Sequence, residues 1–448
     1  MTRILYPTTN LAAIEQLTLT RGEGVYVYDD AGKQYLEGMA GLWCTALGYG
    51  NEELVEAAAA QMRSLPYTHL FGGKTHPVAI ELAERIAAMV PVKDARVFFG
   101  NSGSDANDTH WKLLRYYHTV TGRPQKRKII ARQRGYHGVT VAAAAMTGLV
   151  PQHQHFDLPL DALGILRVDA THYYRQGLPG ETEEEFASRL VAQIEELILR
   201  EGPDTVAAMI AEPVTGAGGV VLPPRGYWEN LQPLLKRYDV ALIDDEVITG
   251  FGRTGNDFGA TTYAIEPDMM TLAKAVTSAY LPLSAAVIRG DMHEAMIEPA
   301  SKVGIFGHGY TYSGHPVPAA LALKTLEIYQ RDRIFERAAR TGEYLQQRLR
   351  TLADHPLVGE VRGVGLIAAV ELVADKTTRR AFEGGKVGAH AQMRAQENGL
   401  IVRAVAGSSL AVCPPLIITE AQVDELVAKL TRAIDETQDA ARLNGWCG

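Results

Sequence analysis

Three cysteines in 448 residues, Cys44, Cys413 and Cys447, are too few for a disulfide framework, and none falls at metal-ligand spacing. The opening MTRILYPTTN has no apolar core of signal-peptide length, and no window approaches a membrane span. The expected location is therefore the cytoplasm. Positive charge is in short supply as well: 44 Lys and Arg stand against 52 Asp and Glu, a formal net charge of −8. That balance argues against nucleic acid or an anionic membrane as partner. The one basic cluster, RPQKRKIIARQR at 123–134, is broken by Ile129 and Ile130 and reads as a strand with charged flanks. His153 and His155 lack a third ligand, and His293-Glu294 lacks a second histidine four residues on, so no metal is expected. The chain also lacks internal repeats and low-complexity segments.

What is present is an ordinary globular composition, 46% hydrophobic and 21% charged, on a chain long enough for two substantial domains. Residues 1–20 have no clear period and are expected to form an arm or a short helix. Residues 24–38 alternate around Asp29-Asp30-Ala31-Gly32, a hairpin signal, and 51–63 follow as a helix capped by Asn51. From about Thr75 strands and helices take turns. Helices are expected at 77–89, 103–118, 186–201 and 227–238, and strands at 96–100, 128–132, 206–211, 240–245, 269–273 and 284–289. Continuous apolar strands between amphipathic helices predict a mostly parallel α/β sheet flanked by helices in a large domain. After Pro318 the pattern changes to helices around strands at 358–373, 400–403 and 409–413, a smaller α+β domain. The expected division is a segment 1–60 packing with the small domain, a large domain 61–318, and a small domain 319–448.

Lys274 stands out in this framework. It is the only lysine between Lys236 and Lys302 and follows an apolar strand into small and apolar neighbours. Desolvation there lowers a lysine's pKa and favours the free amine that a Schiff-base lysine needs. A strand-end lysine snorkelling to water is the plainer alternative. At FFGNSGSDANDT (98–109) a strand turns into a helix N-terminus, where freed backbone N–H groups and the helix dipole make a phosphate cradle; no Gly-Lys-Ser/Thr follows, so it is not a Walker motif. At VALIDDEVITGFGRTG (240–255) strand alternation puts Asp245 and Val247 on one face and Asp244 and Glu246 on the other. A carboxylate beside an apolar contact suits a flat heteroaromatic cation, and it keeps a pyridine nitrogen protonated at about 1.4 kcal/mol per pKa unit. Three acids could also hold Mg²⁺, but they face alternate sides. Tyr136, followed by His137 and Gly138, offers an aromatic face to stack on a ring. One dinucleotide-like fingerprint, Gly363-x-Gly365-x-x-Ala368, runs into LIAAVELV, a strand where the fingerprint requires a helix.

Together these residues resemble the class III, fold-type-I aminotransferases that use pyridoxal 5′-phosphate (PLP). The motifs fall in order from about Gly24 to the C-terminus: MAGLWCTALGYG, GSDANDT, YHG, AEPV, DDEVITGFGRTG, LAKAVTSAY, GYTYSGHP and CPPLIIT. Within the family the chain is most similar to amine:pyruvate (ω-) transaminases. The resemblance implies Lys274 as the catalytic Schiff-base lysine and Asp245 as the partner of the pyridine nitrogen. It places Val247 under the ring and Tyr136 over it, with His137 beside them. Gly103 and Ser104 would bind the phosphate, helped by Thr311 from a neighbouring subunit, which implies a homodimer with shared active sites. Glu212 would hold the polar side of the cofactor pocket. Leu42, Trp43 and Phe71 would line the substrate pocket, and Arg403 would grip a carboxylate bidentately and swing aside for an uncharged amine.

The implied reaction is ping-pong transamination from a primary amine, a diamine or polyamine, or an ω-amino acid to a keto acid, with pyruvate favoured because Val139 stands where many 2-oxoglutarate-linked members carry arginine. Alternatives are a 2-oxoglutarate enzyme of the 4-aminobutyrate type, a PLP mutase or racemase, an NAD-linked dehydrogenase and a non-catalytic homologue. The sequence departs from the family pattern at Asp105, where Glu is usual, and at Ala275 and Ala279, where Gly is usual. These departures are expected to bear on substrate fit.

Overall fold

In a computed structural model, described for residues 3–12 and 16–446, a seven-stranded sheet forms the centre of the molecule. Its order is Arg96–Gly100, Ser284–Ile288, Met269–Leu272, Ala241–Asp245, Val206–Ala211, Lys128–Arg132 and Ile165–Val168. Ser284–Ile288 alone runs antiparallel to its neighbours, and the five strands from Met269–Leu272 outward pair in parallel. The expected mostly parallel sheet is therefore observed, with one added strand, Ile165–Val168. That strand is short and only half-buried, so it carried no strong apolar signal. Every residue of Val206–Ala211 and Met269–Leu272 is buried, which is why both read as continuous apolar runs.

The expected helices form close to their sequence signals. Asn51 accepts the Leu54 N–H at 3.2 Å to cap Glu52–Ser64, and Ser102 caps Gly103–Val120 in a reciprocal box with Asp105. In the expected arm, residues 3–12 and 16–18 hold no helix, and a strand starts at Leu19; residues 1, 2, 13–15 and Cys447 lie outside the described part. The hairpin of Tyr26–Asp29 and Gln34–Glu37 lies between Leu19–Glu23 and Leu400–Ile401, so the two ends of the chain share one four-stranded sheet. A third sheet joins Val358–Val364, Ile367–Leu372, Ser409–Val412 and Arg403–Val405. The glycines of the dinucleotide-like fingerprint sit in the antiparallel hairpin of this sheet, and no helix follows them. Among the described residues no helix is long and apolar enough to cross a membrane.

Arg362, read from the sequence only as part of that fingerprint, ties the third sheet to the central one. Its guanidinium meets Glu371 at 2.5 Å and Glu360 at 2.6 Å, donates to the Val220 carbonyl at 3.0 Å, and also reaches the Gly219 carbonyl. Arg175 holds the other Glu371 oxygen at 2.5 Å, and His172 lies 3.2 Å from Glu360. His172, Glu360 and Glu371 come close enough together for a metal site, but the two arginines already occupy the carboxylates. Burial opposes the Glu371 charge, yet Arg362, His172 and Arg175 hold its carboxyl down to about 2. Its contribution to stability is thus complete above the unfolded glutamate value of about 4.3 and is lost as pH falls toward 2. Arg362→Met leaves buried carboxylates short of a counter-charge and is expected to cost about 3 kcal/mol or more, seen as a lower denaturation midpoint at pH 7. An unchanged midpoint would remove Arg362 as the tie between the sheets.

Candidate active site

A cavity of about 360 Å³ opens at the ends of the central strands, within the size range of small-molecule sites. Its walls come from several stretches of the chain, with Leu42, Cys44 and Glu212 among them. Gly103 and Ser104 begin the helix after Arg96–Gly100, and Tyr136 to Gly138 follow Lys128–Arg132. Asp245 and Val247 close the Ala241–Asp245 strand, and Ala273 and Lys274 follow Met269–Leu272. Ligands bind outside the carboxyl ends of strands in open α/β sheets, and this cavity obeys that rule.

Lys274 is part-buried at a left-handed backbone position (φ +51°), the first residue of a single 3₁₀ turn. Burial lowers its pKa, with Cys44, Asp245 and Glu212 pulling the other way. Its Nζ lies 5.5 Å from the centre of the Trp43 ring. Asp245 is 3% exposed and accepts three N–H donors. Asn107 Nδ2 at 2.9 Å and His137 Nδ1 at 2.8 Å both reach Oδ2, and the Val247 N–H reaches Oδ1 at 3.2 Å. The strand ends at Asp245, so Val247 is brought beside it by the following turn rather than by strand alternation. The two acids expected on the other face, Asp244 and Glu246, are fully buried away from the cavity. Burial and then the neighbouring Glu246 push the Asp244 carboxyl well up.

Glu212 is 3% exposed and accepts the Tyr136 N–H at 2.9 Å and the Gly216 N–H at 2.8 Å, while burial raises its pKa. Its carboxyl therefore pins the loop that carries Tyr136. At the helix start a Cβ on Gly103 would stand 2.9 Å from Val247 Cγ2, and one on Gly138 (φ +127°) would stand 2.5 Å from Ser104 Oγ. Both glycines let the backbone pass close to Val247 and Ser104 where a Cβ would crowd the cradle. Asp105 accepts the Asn101 and Ser102 N–H groups at 2.9 and 3.1 Å and the Ser284 hydroxyl at 3.0 Å. The first departure from the family pattern thus serves to fold the cradle. Of the other two, Ala279 lines the cavity; Ala275 is buried behind it, with its carbonyl accepting from the Tyr329 hydroxyl at 2.7 Å.

The cavity brings together Leu42, Gly103, Ser104, Tyr136, His137, Glu212, Asp245, Val247 and Lys274 from the residues expected to act. Trp43 is buried behind it, between Lys274 and Arg403, whose guanidinium carbon lies 5.6 Å from the ring centre. Burial lowers the Arg403 pKa, partly offset by Tyr136. Phe71 and Thr311 lie outside the cavity, exposed on neighbouring surface segments where the Tyr67 hydroxyl donates to the Thr311 carbonyl at 2.9 Å. Asn107, Cys44 and Thr277 also line the cavity and escaped the sequence reading. Asn107 had a usable signal, since it stands four residues beyond Gly103 on the same helix face.

The donor set fits an aldehyde-bearing pyridine phosphate. An amine of lowered pKa faces the cavity with a hydrogen-bonded carboxylate, an aromatic and a branched apolar wall, and helix-start N–H groups that have no partner within the helix.

Comparison with known proteins agrees with that chemistry. The family model "Aminotransferase class-III" matches residues 9–434. A mitochondrial gamma aminobutyrate transaminase of Solanum lycopersicum is 45% identical over 428 residues, covering 95% of this chain and 82% of that protein. The solved omega transaminase of Pseudomonas jessenii, in complex with PMP, superposes with a TM-score of 0.96 at 48% identity, covering 99% of this chain and 98% of the other. A solved transaminase with L-alanine superposes at 0.93 with 50% identity, covering 95% and 100%. This chain belongs to the class III aminotransferases.

Proposed function

We propose that this PLP-dependent aminotransferase takes the amino group of a primary amine, an amine, diamine, polyamine or ω-amino acid, and delivers it to pyruvate. The observation that carries the reading is the convergence of Lys274, Asp245 and the Gly103–Ser104 helix start on one cavity. PLP, when bound, supplies the aldehyde that takes up the amino group and the protonated ring that serves as electron sink.

Lys274 would hold the cofactor covalently and Asp245 its ring nitrogen. Val247 and Tyr136 would flank the ring, with His137 bonded to Asp245, Glu212 holding the Tyr136 main chain, and Gly103 and Ser104 on the phosphate. With its pKa lowered by burial, Lys274 Nζ would be suited to take the proton from the amine-bearing carbon and deliver it to C4′ of the cofactor. Leu42 and Trp43 border the space for the amine, and Arg403 binds the acceptor's carboxylate. The flexible stem of Arg403, stacked beside Trp43, lets one pocket serve a charged acceptor and an uncharged donor.

Exposed Phe71 and Thr311 fit contributions to the site of a second copy, so the working unit in this reading is a homodimer. Residues 61–318 form its cofactor-binding domain, and 319–448 with 1–60 its smaller domain. Pyruvate is favoured by the apolar, exposed Val139 beside the cradle, whose N–H donates to Ser104 Oγ at 3.1 Å. A further support is the relative solved with L-alanine, the amino form of pyruvate. The curated relative named for gamma-aminobutyrate favours a second reading, a 4-aminobutyrate enzyme with 2-oxoglutarate as acceptor.

Steady-state rates with pyruvate and 2-oxoglutarate against one amine panel separate the two. At least about tenfold higher kcat/KM with pyruvate is expected, a difference of about 1.4 kcal/mol; the reverse preference establishes the second reading. Lys274→Ala is expected to abolish transamination while still binding PLP non-covalently, and borohydride labelling of the unaltered protein is expected at Lys274. A label on another lysine would sink that role. Arg403→Ala is expected to lower kcat/KM for the keto acid about tenfold or more, while leaving the half-reaction with a simple amine nearly unchanged. Equal losses in both half-reactions would exclude its part in acceptor recognition.

A further inference from the structure

Asn107 has no exposed surface, and its side chain joins three elements besides its own. Its Nδ2 donates to Asp245 Oδ2 at 2.9 Å and to the His137 carbonyl at 2.7 Å. Its Oδ1 accepts the hydroxyl of Thr271, also fully buried, at 2.7 Å. Thr271 in turn is tied to the strand end, since its carbonyl accepts the Glu246 N–H at 3.0 Å. The orientation of the amide follows from this chemistry. A reversed amide would set its oxygen against a carboxylate oxygen that can only accept, so Nδ2 must face Asp245.

The two Asp245 oxygens are consequently unequal. Oδ2 carries two short bonds, from Asn107 and His137, whereas Oδ1 carries one longer bond from the Val247 N–H. Oδ1 keeps the spare lone-pair capacity on the carboxylate that lines the cavity. We propose that Asn107, aligned by Thr271, is a positioning residue that commits Oδ2 of Asp245 to the protein and leaves Oδ1 for the ring nitrogen of the cofactor. The inference rests on the reading of Asp245 as the partner of that nitrogen. Without Asn107 only His137 would hold Oδ2, and rotation of the carboxylate about its Cβ–Cγ bond would be less restrained.

The test uses Asn107→Leu, close in volume but without polar atoms, with PLP itself as probe. PLP affinity is read by titrating the apoenzyme, and the ratio of the two visible absorption bands of bound PLP is read at fixed pH. Loss of a hydrogen bond to a charged group predicts about tenfold weaker PLP binding or more, with a changed band ratio. Thr271→Val, which removes only the group that aligns the amide, is expected to move both readouts the same way by a smaller factor. It also serves as the test if Asn107→Leu does not fold.

Unchanged affinity and band ratio in the folded variants would overturn the inference. So would a lower apoenzyme melting temperature with an unchanged band ratio, because that is the mark of a merely structural role. Asp245→Asn separates the two layers. If it leaves the bands unaltered, the reading of Asp245 itself fails; if it alters them while Asn107→Leu and Thr271→Val do not, only the role of Asn107 fails.

Discussion

The structure depends on one costly arrangement, an amine and several carboxyls gathered at the ends of largely apolar strands. Placing Asp245 and Glu212 at 3% exposure costs several kcal/mol each unless their oxygens are satisfied. Glu212 is satisfied by the backbone N–H groups of Tyr136 and Gly216, and Asp245 by Asn107, His137 and Val247. Between them these bonds tie the Tyr136–His137 loop, the helix that carries Asn107 and the turns at Gly216 and Val247 to the cavity rim. The loops are therefore held in place by the same contacts that make the charges tolerable, and the cavity keeps its shape because the charges cannot otherwise remain buried.

The neighbouring acids show the other solution to the same problem. Asp244 has no comparable set of donors, and its carboxyl is pushed up by burial and then by Glu246. Glu246 is buried too, but it accepts the Ala260 N–H at 2.6 Å and the Thr249 hydroxyl at 2.5 Å. Three consecutive acids thus differ in the donors each side chain meets, and only the one facing the cavity is furnished with three N–H groups.

Much of this was legible in the sequence because it is local. The strands ending at Gly100, Arg132, Ala211 and Asp245 declare themselves as short apolar runs, and the cradle, the Tyr136 loop and Lys274 follow directly after such strands. Val247 was placed correctly for a reason that did not hold, since the strand stops two residues earlier. The rest was hidden because it joins residues remote in sequence. Asn107 meets Asp245 across 138 positions and Thr271 across 164, and no periodicity encodes such a pairing. Arg362 gave no signal for the same reason, since the Gly219 and Val220 carbonyls it binds lie 143 and 142 positions away. Phe71 and Thr311 are an extreme case, since this chain gives them no place in the cavity.

The turn that presents Lys274 draws these threads together. Within six residues Lys274, Ser278 and Ala279 adopt φ of +51°, +48° and +62°, a region that costs L-residues roughly 1–2 kcal/mol apiece. Such strain persists only when the surroundings over-determine it. Here the Leu47 N–H donates to Ser278 Oγ at 2.9 Å, the Asn51 N–H to the Tyr280 hydroxyl at 2.8 Å, and the Tyr329 hydroxyl to the Ala275 carbonyl at 2.7 Å. Two of these pegs come from the N-terminal segment and one from the helix Pro316–Arg331. The amine is thus aimed by parts of the chain far from it in sequence. Glycine at Ala279 would relax the turn, so the methyl retained there, on the cavity wall, is the departure from the family pattern with the clearest path to the substrate space.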